Sequence, residues 1–97
     1  MVVEKINVNK IENLSKRIIE ESSKLKVLQQ ELDSVNKNLK EVNFNFLSGK
    51  VSIQVYNTSK KNLERKRKLL IDKVNKNINT TLPLVKNLSE VINENKI

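Results

Sequence analysis

Residues 44–56 read FNFLSGKVSIQVY and contain Gly49, which is the only glycine of the 97-residue chain and lies at its midpoint. Apolar residues stand at matching distances on the two sides of this glycine, so that Val42 mirrors Tyr56 and Phe46 mirrors Ile53. This symmetry predicts a chain that turns back at Gly49 and packs along itself. Further pairs continue the mirror outward: Val35 with Leu63, Leu28 with Leu70, Leu25 with Val74, Glu21 with Ile78, Leu14 with Val85, and Ile11 with Leu88.

The segment before Gly49 has an apolar heptad repeat. A repeat of about 3.5 residues is typical of helices that wind around each other as a coiled coil. The pattern predicts a first helical arm over about residues 4–47. Glu21 is the one charged residue on the stripe, and we interpret it as a residue that fixes register or oligomeric state rather than as a catalyst. The a positions are Ile11, Ile18, Leu25, Leu32, Leu39 and Phe46, and the d positions are Leu14, Glu21, Leu28, Val35 and Val42.

The segment after Gly49 has a less regular apolar stripe, which predicts a second arm over about residues 52–80. Pro83 interrupts it, because proline lacks the backbone N–H of a helix interior. Either it opens a C-terminal segment over 82–95, capped by Thr80 or Thr81, or it kinks a continuing helix. The predicted stripe consists of Tyr56, Leu63, Leu70, Val74, Ile78, Val85, Leu88 and Ile92, with Lys60, Arg67 and Thr81 at intermediate positions.

Two structures compete for the turn between the arms. In the first, the turn consists of Ser48, Gly49, Lys50 and Ser52; Gly49 closes one helix in the left-handed conformation and Ser52 caps the next. In the second, residues 44–55 form a β-hairpin, because apolar and polar residues alternate on both sides of the turn. We favour the helical turn, because the heptad repeat runs unbroken to Phe46.

The fold class predicted is all-α: one domain that forms a long antiparallel helical hairpin, with a third short helix if Pro83 ends the second arm. A hairpin buries one stripe, so apolar residues off that stripe need another partner. Two hairpins packed as a dimeric four-helix bundle would cover them; alternatively they are ordinary scattered surface residues. The predicted oligomer contacts are Ile19, Val27, Phe44, Leu69, Ile71, Leu84, Leu88 and Val91.

The net charge of +8 is concentrated in residues 60–76, KKNLERKRKLLIDKVNK, which contain eight basic and two acidic residues. Such a run could bind the phosphates of nucleic acid or the headgroups of an anionic membrane. Alternatively it is a solvated helix face whose charges meet acids of the first arm, as Arg67 would meet Glu31. The candidate anion-binding residues, called the basic collar below, are Lys60, Lys61, Arg65, Lys66, Arg67, Lys68, Lys73 and Lys76.

The amino-acid composition lacks the residue types that most enzymes use for catalysis. The chain has no cysteine and no histidine, which removes thiol nucleophiles, imidazole bases and most zinc sites. We therefore expect no enzymatic activity, no catalytic or metal-binding residue, no cofactor and no small-molecule substrate.

No run approaches the roughly 18 apolar residues of a spanning helix, and we expect a cytoplasmic protein. The expected partners are a second copy and another protein, with nucleic acid or anionic membrane as alternatives.

Residues 47–66, LSGKVSIQVYNTSKKNLERK, resemble the hairpin tips of archaeal coiled-coil proteins of the CdvA-like type. This resemblance implies a cell-division scaffold that polymerises, associates with membrane or DNA and recruits ESCRT-III-like partners. We expect the chain to have no room for the small β-domain that precedes the coiled coil in the division protein. A second resemblance is to prefoldin-like chaperone subunits, whose arms are joined by a β-hairpin. The residues that match the first family are Leu47, Gly49, Lys50, Val51, Ser52, Tyr56, Lys60 and Leu63.

Three functions follow from these patterns. The first is a non-enzymatic structural or adaptor protein that self-associates and presents its tip and basic face to a partner, as a scaffold in cell division or at a membrane. The second is a basic module that binds nucleic acid or acidic lipid through the collar. The third is a prefoldin-like chaperone subunit, which requires strands in residues 44–55.

Overall fold

The computed structural model describes residues 8–94 and contains two helices, α1 (Val8–Leu47) and α2 (Ile53–Glu94). They pack as an antiparallel hairpin, so the predicted all-α hairpin is confirmed. No strand occurs in residues 8–94. The β-hairpin over 44–55 is therefore wrong, and the strands that the chaperone hypothesis required are not formed there. The predicted helix start at residues 4–7 and end at residue 95 lie outside the described residues.

The turn closes α1 by a Schellman motif, in which a left-handed residue follows the last helical turn. The N–H of Gly49 donates to the carbonyl of Phe46 at 3.0 Å, and the N–H of Lys50 donates to that of Asn45 at 2.9 Å. Gly49 has a φ of 75°, which costs a glycine little because it has no Cβ. At the start of α2 the hydroxyl of Ser52 accepts a hydrogen bond from the N–H of Val55 at 3.2 Å. This geometry explains why α1 stops and α2 begins within five residues.

The helices pack within two compact units. The terminal unit comprises Met1–Lys26 and Lys76–Ile97, of which residues 8–26 and 76–94 are described. Its core consists of Leu14, Leu84 and Val91, with Ile11, Ile18 and Leu88 packed against them. The turn unit comprises Val27–Asn75, and its most buried side chains are Val35 and Leu70. Both helices contribute to the core of each unit.

On α1 the predicted heptad is confirmed, because each a and d position from Ile11 to Phe46 is buried or half-buried, including Glu21. On α2 three positions of the predicted stripe are wrong. Ile78, Val85 and Ile92 expose 38%, 45% and 46% of their surface. The residues one position earlier are buried instead: Asn77, Leu84 and Val91.

The shift has a simple geometric cause. Seam positions on α2 alternate in steps of three and four residues, and a change of one residue turns a side chain by about 100° around the helix. The alternation passes through the polar Asn77, which the prediction skipped in favour of the apolar Ile78. The seam positions of α2 are therefore Tyr56, Lys60, Leu63, Arg67, Leu70, Val74, Asn77, Thr81, Leu84, Leu88 and Val91, all buried or half-buried except the exposed Arg67.

Pro83 lies inside α2, so residues 82–94 belong to that helix and form no third one. A proline removes the hydrogen bond to the carbonyl four residues earlier, here that of Asn79. Both Pro83 and Asn79 are exposed, so water can satisfy this carbonyl. Thr80 and Thr81 cap no new helix, because their hydroxyls donate to the carbonyls of Lys76 at 3.0 Å and Asn77 at 2.8 Å. The buried Leu84, directly after the proline, helps to hold the helix against the core.

The α2 seam can be tested by two identical substitutions on the same helix. Leu84 is 5% exposed and Leu69 is 57% exposed. We expect Leu84→Ala to lower the free energy of unfolding by about 2–4 kcal/mol, because it leaves a cavity in the terminal core. The control Leu69→Ala should cost less than about 1 kcal/mol, since little buried surface is lost. Urea unfolding followed by circular dichroism measures both, and equal losses would contradict the seam.

Candidate functional site

The terminal unit contains a polar pair inside its apolar seam. Asn77 is 7% exposed, and its Nδ2 donates to the main-chain carbonyl of Glu21 at 3.0 Å and to Glu21 Oε2 at 2.9 Å. Glu21 thus faces Asn77 rather than the predicted Ile78. Its other carboxylate oxygen, Oε1, is 3.2 Å from Lys24 Nζ. One amide therefore ties α2 to both the backbone and the side chain of one residue of α1.

This pair can fix the register of the two helices. Sliding α2 by one heptad would place Asn77 opposite an apolar residue and leave the Glu21 carboxylate without its partner on α2, and a buried polar group without a partner is costly. Asn77 Oδ1 is itself buried without a hydrogen-bond partner, so the arrangement favours specificity over maximal stability. A polar pair at seam positions has the same role in coiled coils.

The basic collar lies on α2 at the positions that the sequence predicted, and seven of its eight residues are exposed, Lys60 being half-buried. The predicted contact of Arg67 with Glu31 is wrong: Arg67 Nε donates to Asn36 Oδ1 at 3.2 Å. Lys60 Nζ lies 5.6 Å from the centroid of the Tyr56 ring. Apart from Lys60 and the hydrogen-bonded Arg67, the collar side chains are thus exposed to solvent, where their charges can meet an anion.

The predicted oligomer contacts fall into three groups. Leu84 and Val91 are buried in the terminal core and Leu88 packs against it, so their assignment to a surface between copies is corrected. They occupy seam positions of their own hairpin. Ile71 is half-buried, so less of its apolar surface is free to contact a second copy. The remaining four are at least half exposed: Ile19, Val27, Phe44 and Leu69.

Sequence reasoning missed a second apolar stripe on α2. Ile78, Leu82, Val85 and Ile92 follow the seam one position later at the same heptad spacing, and all four are exposed. On α1, Val8 and Ile19 lie on the same side of the helix pair by heptad position. The second stripe is visible in the sequence once the seam is assigned to Asn77 and Leu84. We name the six residues the apolar flank: Val8, Ile19, Ile78, Leu82, Val85 and Ile92.

The flank is one-sided. It includes every exposed large apolar residue that the structure describes in the terminal unit. A shallow groove of about 160 Å³ joins the two helices here, and Ser22 of α1 lines it together with Ile78 and Leu82 of α2. The opposite side of the helix pair carries charged residues at the corresponding heptad positions: Arg17, Lys24, Lys76 and Glu90.

The turn unit has its own exposed apolar residues around the turn. Phe44, Leu47, Ile53 and Val55 expose 63%, 83%, 55% and 50% of their surface, and we name these four the apolar tip. Beneath them the rings of Phe46 and Tyr56 stack with centroids 4.3 Å apart, and Tyr56 Oη donates to Asn43 Oδ1 at 3.0 Å. Phe46 thus packs on Tyr56, a contact that the predicted mirror about Gly49 does not include. The stacked rings hold the helix ends together, while the apolar tip remains in solvent.

In residues 8–94, no group of three or more acidic side chains is placed to hold a metal ion. No helix in the same range has an apolar run long enough to cross a membrane. The described residues also present three surfaces to solvent: the apolar flank, the basic collar and the apolar tip.

The polar pair makes a prediction about stability. Asn77→Leu removes both hydrogen bonds to Glu21 and should lower the free energy of unfolding by about 1–3 kcal/mol. Adding Glu21→Leu should restore stability to the wild-type value or above it, because replacing a buried polar pair by apolar residues is often neutral or stabilising. Chemical denaturation measures both variants. The exposed pair Glu20→Leu/Asn79→Leu is the control, and a single Asn77→Leu variant as stable as the double variant would contradict the pairing.

Comparison of the chain with protein-family models, curated proteins and solved structures finds no match.

Proposed function

We propose that the protein is a non-enzymatic structural or adaptor coiled coil that self-associates through the apolar flank and presents the basic collar and the apolar tip of its turn unit to a partner. The observation that carries this proposal is the second heptad stripe on α2. An apolar stripe that repeats every three or four residues suits the packing of another helix. Scattered surface hydrophobics would have no such period.

A second copy is the occupant that we propose for the flank. Two hairpins stacked on this side would form a four-helix bundle, in which each apolar flank covers the other. Ser15, Ser22 and Ser89 occupy heptad positions on the same side, and such small residues let helices approach closely. In a two-fold dimer the same surface of each copy forms the interface, so the apolar flank needs no different complementary surface elsewhere on the chain.

The charges on α1 support an antiparallel arrangement of the two copies. Glu12 and Lys26 are both exposed and lie seven residues before and after Ile19, on the same face of α1. A two-fold axis at Ile19 would bring Glu12 of each copy against Lys26 of the other. The same arrangement would bring the two Ile19 side chains together, where each is otherwise 65% exposed. The flank is thus complementary to itself in charge and in apolarity.

Size-exclusion chromatography with light scattering tests this self-association. We expect the wild-type chain to be a dimer at tens of micromolar and Leu82→Gln/Val85→Gln to be a monomer, because burial of the flank drives association. The control Leu69→Gln changes an exposed leucine outside the flank and should leave the dimer intact. A wild-type chain that remains monomeric at this concentration would contradict the proposal.

A charge exchange in the same experiment tests the antiparallel arrangement. Glu12→Lys should weaken the dimer several-fold, since each of two exposed ion pairs contributes up to about 1 kcal/mol. The exchanged variant Glu12→Lys/Lys26→Glu should recover wild-type association. An exchanged variant as weak as the single one would show that the two residues do not meet.

A further inference from the structure

The apolar tip remains exposed when the hairpin has formed. Leu47 exposes 83% of its surface next to the turn, and the other three tip residues expose half or more of theirs. A group of exposed apolar side chains in one place usually marks a surface that another molecule covers. Below the tip the rings of Phe46 and Tyr56 pack on each other, and the four tip side chains stay exposed outside this contact.

The arrangement of the tip is convex. Phe44 and Leu47 end α1, while Ile53 and Val55 begin α2 two residues apart and therefore lie on different sides of that helix. Apolar side chains thus surround the turn rather than forming one flat stripe, and the shallow grooves that Phe44 and Val55 line each lie on a single helix. A partner helix packs on a continuous apolar stripe, whereas the fluid acyl region of a lipid bilayer accommodates a convex apolar end.

Positively charged side chains lie on both helices behind the apolar tip, farther from the turn. The tip residues lie within six positions of Gly49, about 9 Å at the helical rise. Four lysines follow on both helices between nine and twelve positions from Gly49, about 14–18 Å along the helices. The difference of about 5–9 Å is similar to the roughly 5–7 Å thickness of a bilayer headgroup layer. These lysines are Lys37 and Lys40 on α1 and Lys60 and Lys61 on α2.

The charge in this segment has one dominant sign. Residues 37–61 contain five lysines and one acid, Glu41, which gives a balance of +4. A shallow groove beside Phe44 is lined by Lys37 and Lys40 among others. The fifth lysine, Lys50, lies in the turn with its Nζ 5.6 Å from the centroid of the Phe44 ring. Its long side chain can extend toward the headgroups while its methylene groups stay among apolar residues.

We propose that the apolar tip inserts into the interfacial region of an anionic phospholipid bilayer, with the surrounding lysines binding the headgroups. Apolar residues of a peripheral protein penetrate about 5–10 Å into this region, which matches the depth of the tip. Anionic lipid attracts each nearby lysine, so the two contributions reinforce each other. This inference rests on the presenting role of the turn unit in the proposed function, and it does not depend on self-association.

Co-sedimentation with phospholipid vesicles tests the proposal. The full chain should bind vesicles that contain equal amounts of phosphatidylserine and phosphatidylcholine far better than vesicles of phosphatidylcholine alone. Leu47→Gln should lower the partition coefficient about tenfold, the order of magnitude that burial of a leucine side chain contributes. The matched control Leu69→Gln removes an exposed leucine from the same unit and should bind as the wild type does. Equal losses in the two variants, or equal binding to both kinds of vesicle, would overturn insertion of the tip.

The lysines can be tested separately. Lys37→Gln/Lys40→Gln/Lys50→Gln should weaken binding to the anionic vesicles more than Lys16→Gln/Lys76→Gln/Lys86→Gln, although both triple variants lose the same charge. If both triple variants lose binding equally while Leu47→Gln keeps it, the protein adsorbs through its overall charge, and the proposal is wrong. Binding to a protein or nucleic acid with no binding to vesicles would also overturn it.

Fluorescence gives an independent measure of insertion. The chain has no tryptophan, so Leu47→Trp introduces a single reporter at the tip. Its emission should shift to the blue on addition of anionic vesicles and should be quenched by lipids brominated near the headgroup. Leu69→Trp should show neither effect. The monomeric flank variant Leu82→Gln/Val85→Gln should still show insertion of the tip, so failure of self-association and failure of membrane binding are separate results.

Discussion

Burial of one apolar seam between two antiparallel helices is the constraint on which the rest of the structure depends. Only 37% of the residues are hydrophobic and 3% are aromatic, so the chain has few side chains with which to build a broad core. Side chains that recur every three or four residues need only a partner helix, and the turn at Gly49 supplies that partner from the same chain. Since the seam turns Asn77 and Leu84 inward, it also turns Ile78 and Val85 outward. The surface available for recognition is therefore a consequence of the register.

The heptad of α1 was predictable because its seam is almost entirely apolar, and the helical turn followed from the same pattern. The seam of α2 was less predictable. Asn77 is polar and stands beside the apolar Ile78, so a reading based on hydrophobicity alone assigns the wrong residue. What decides the position is the partner on α1: Glu21 offers a carboxylate and a carbonyl that an amide can bind and an isoleucine cannot. That information lies in a contact between residues far apart in the sequence.

The interaction surfaces were predictable to different degrees. The basic collar is a run of charge, and charged residues remain exposed in nearly any helical arrangement. The flank was hidden, because Val85 and Ile92 were predicted to lie on the seam, and Leu84 and Val91 were predicted to lie between copies. Once Leu84 and Val91 are assigned to the core, Val85 and Ile92 fall on a separate exposed stripe. Pro83 suggested a break in the second arm that does not occur. The carbonyl of Asn79, which loses its hydrogen bond to residue 83, is exposed and can bind water instead.

The most direct test of this account is disulfide trapping, which the absence of native cysteine makes unambiguous. In the variant Glu21→Cys/Asn77→Cys the two thiols replace side chains that are in contact across the seam. Mild oxidation of dilute protein should form a disulfide within one chain, identified by peptide mapping, and it should form far faster than in Glu21→Cys/Ile78→Cys. Faster trapping of the second pair, or disulfides that form only between chains, would contradict the register and the hairpin.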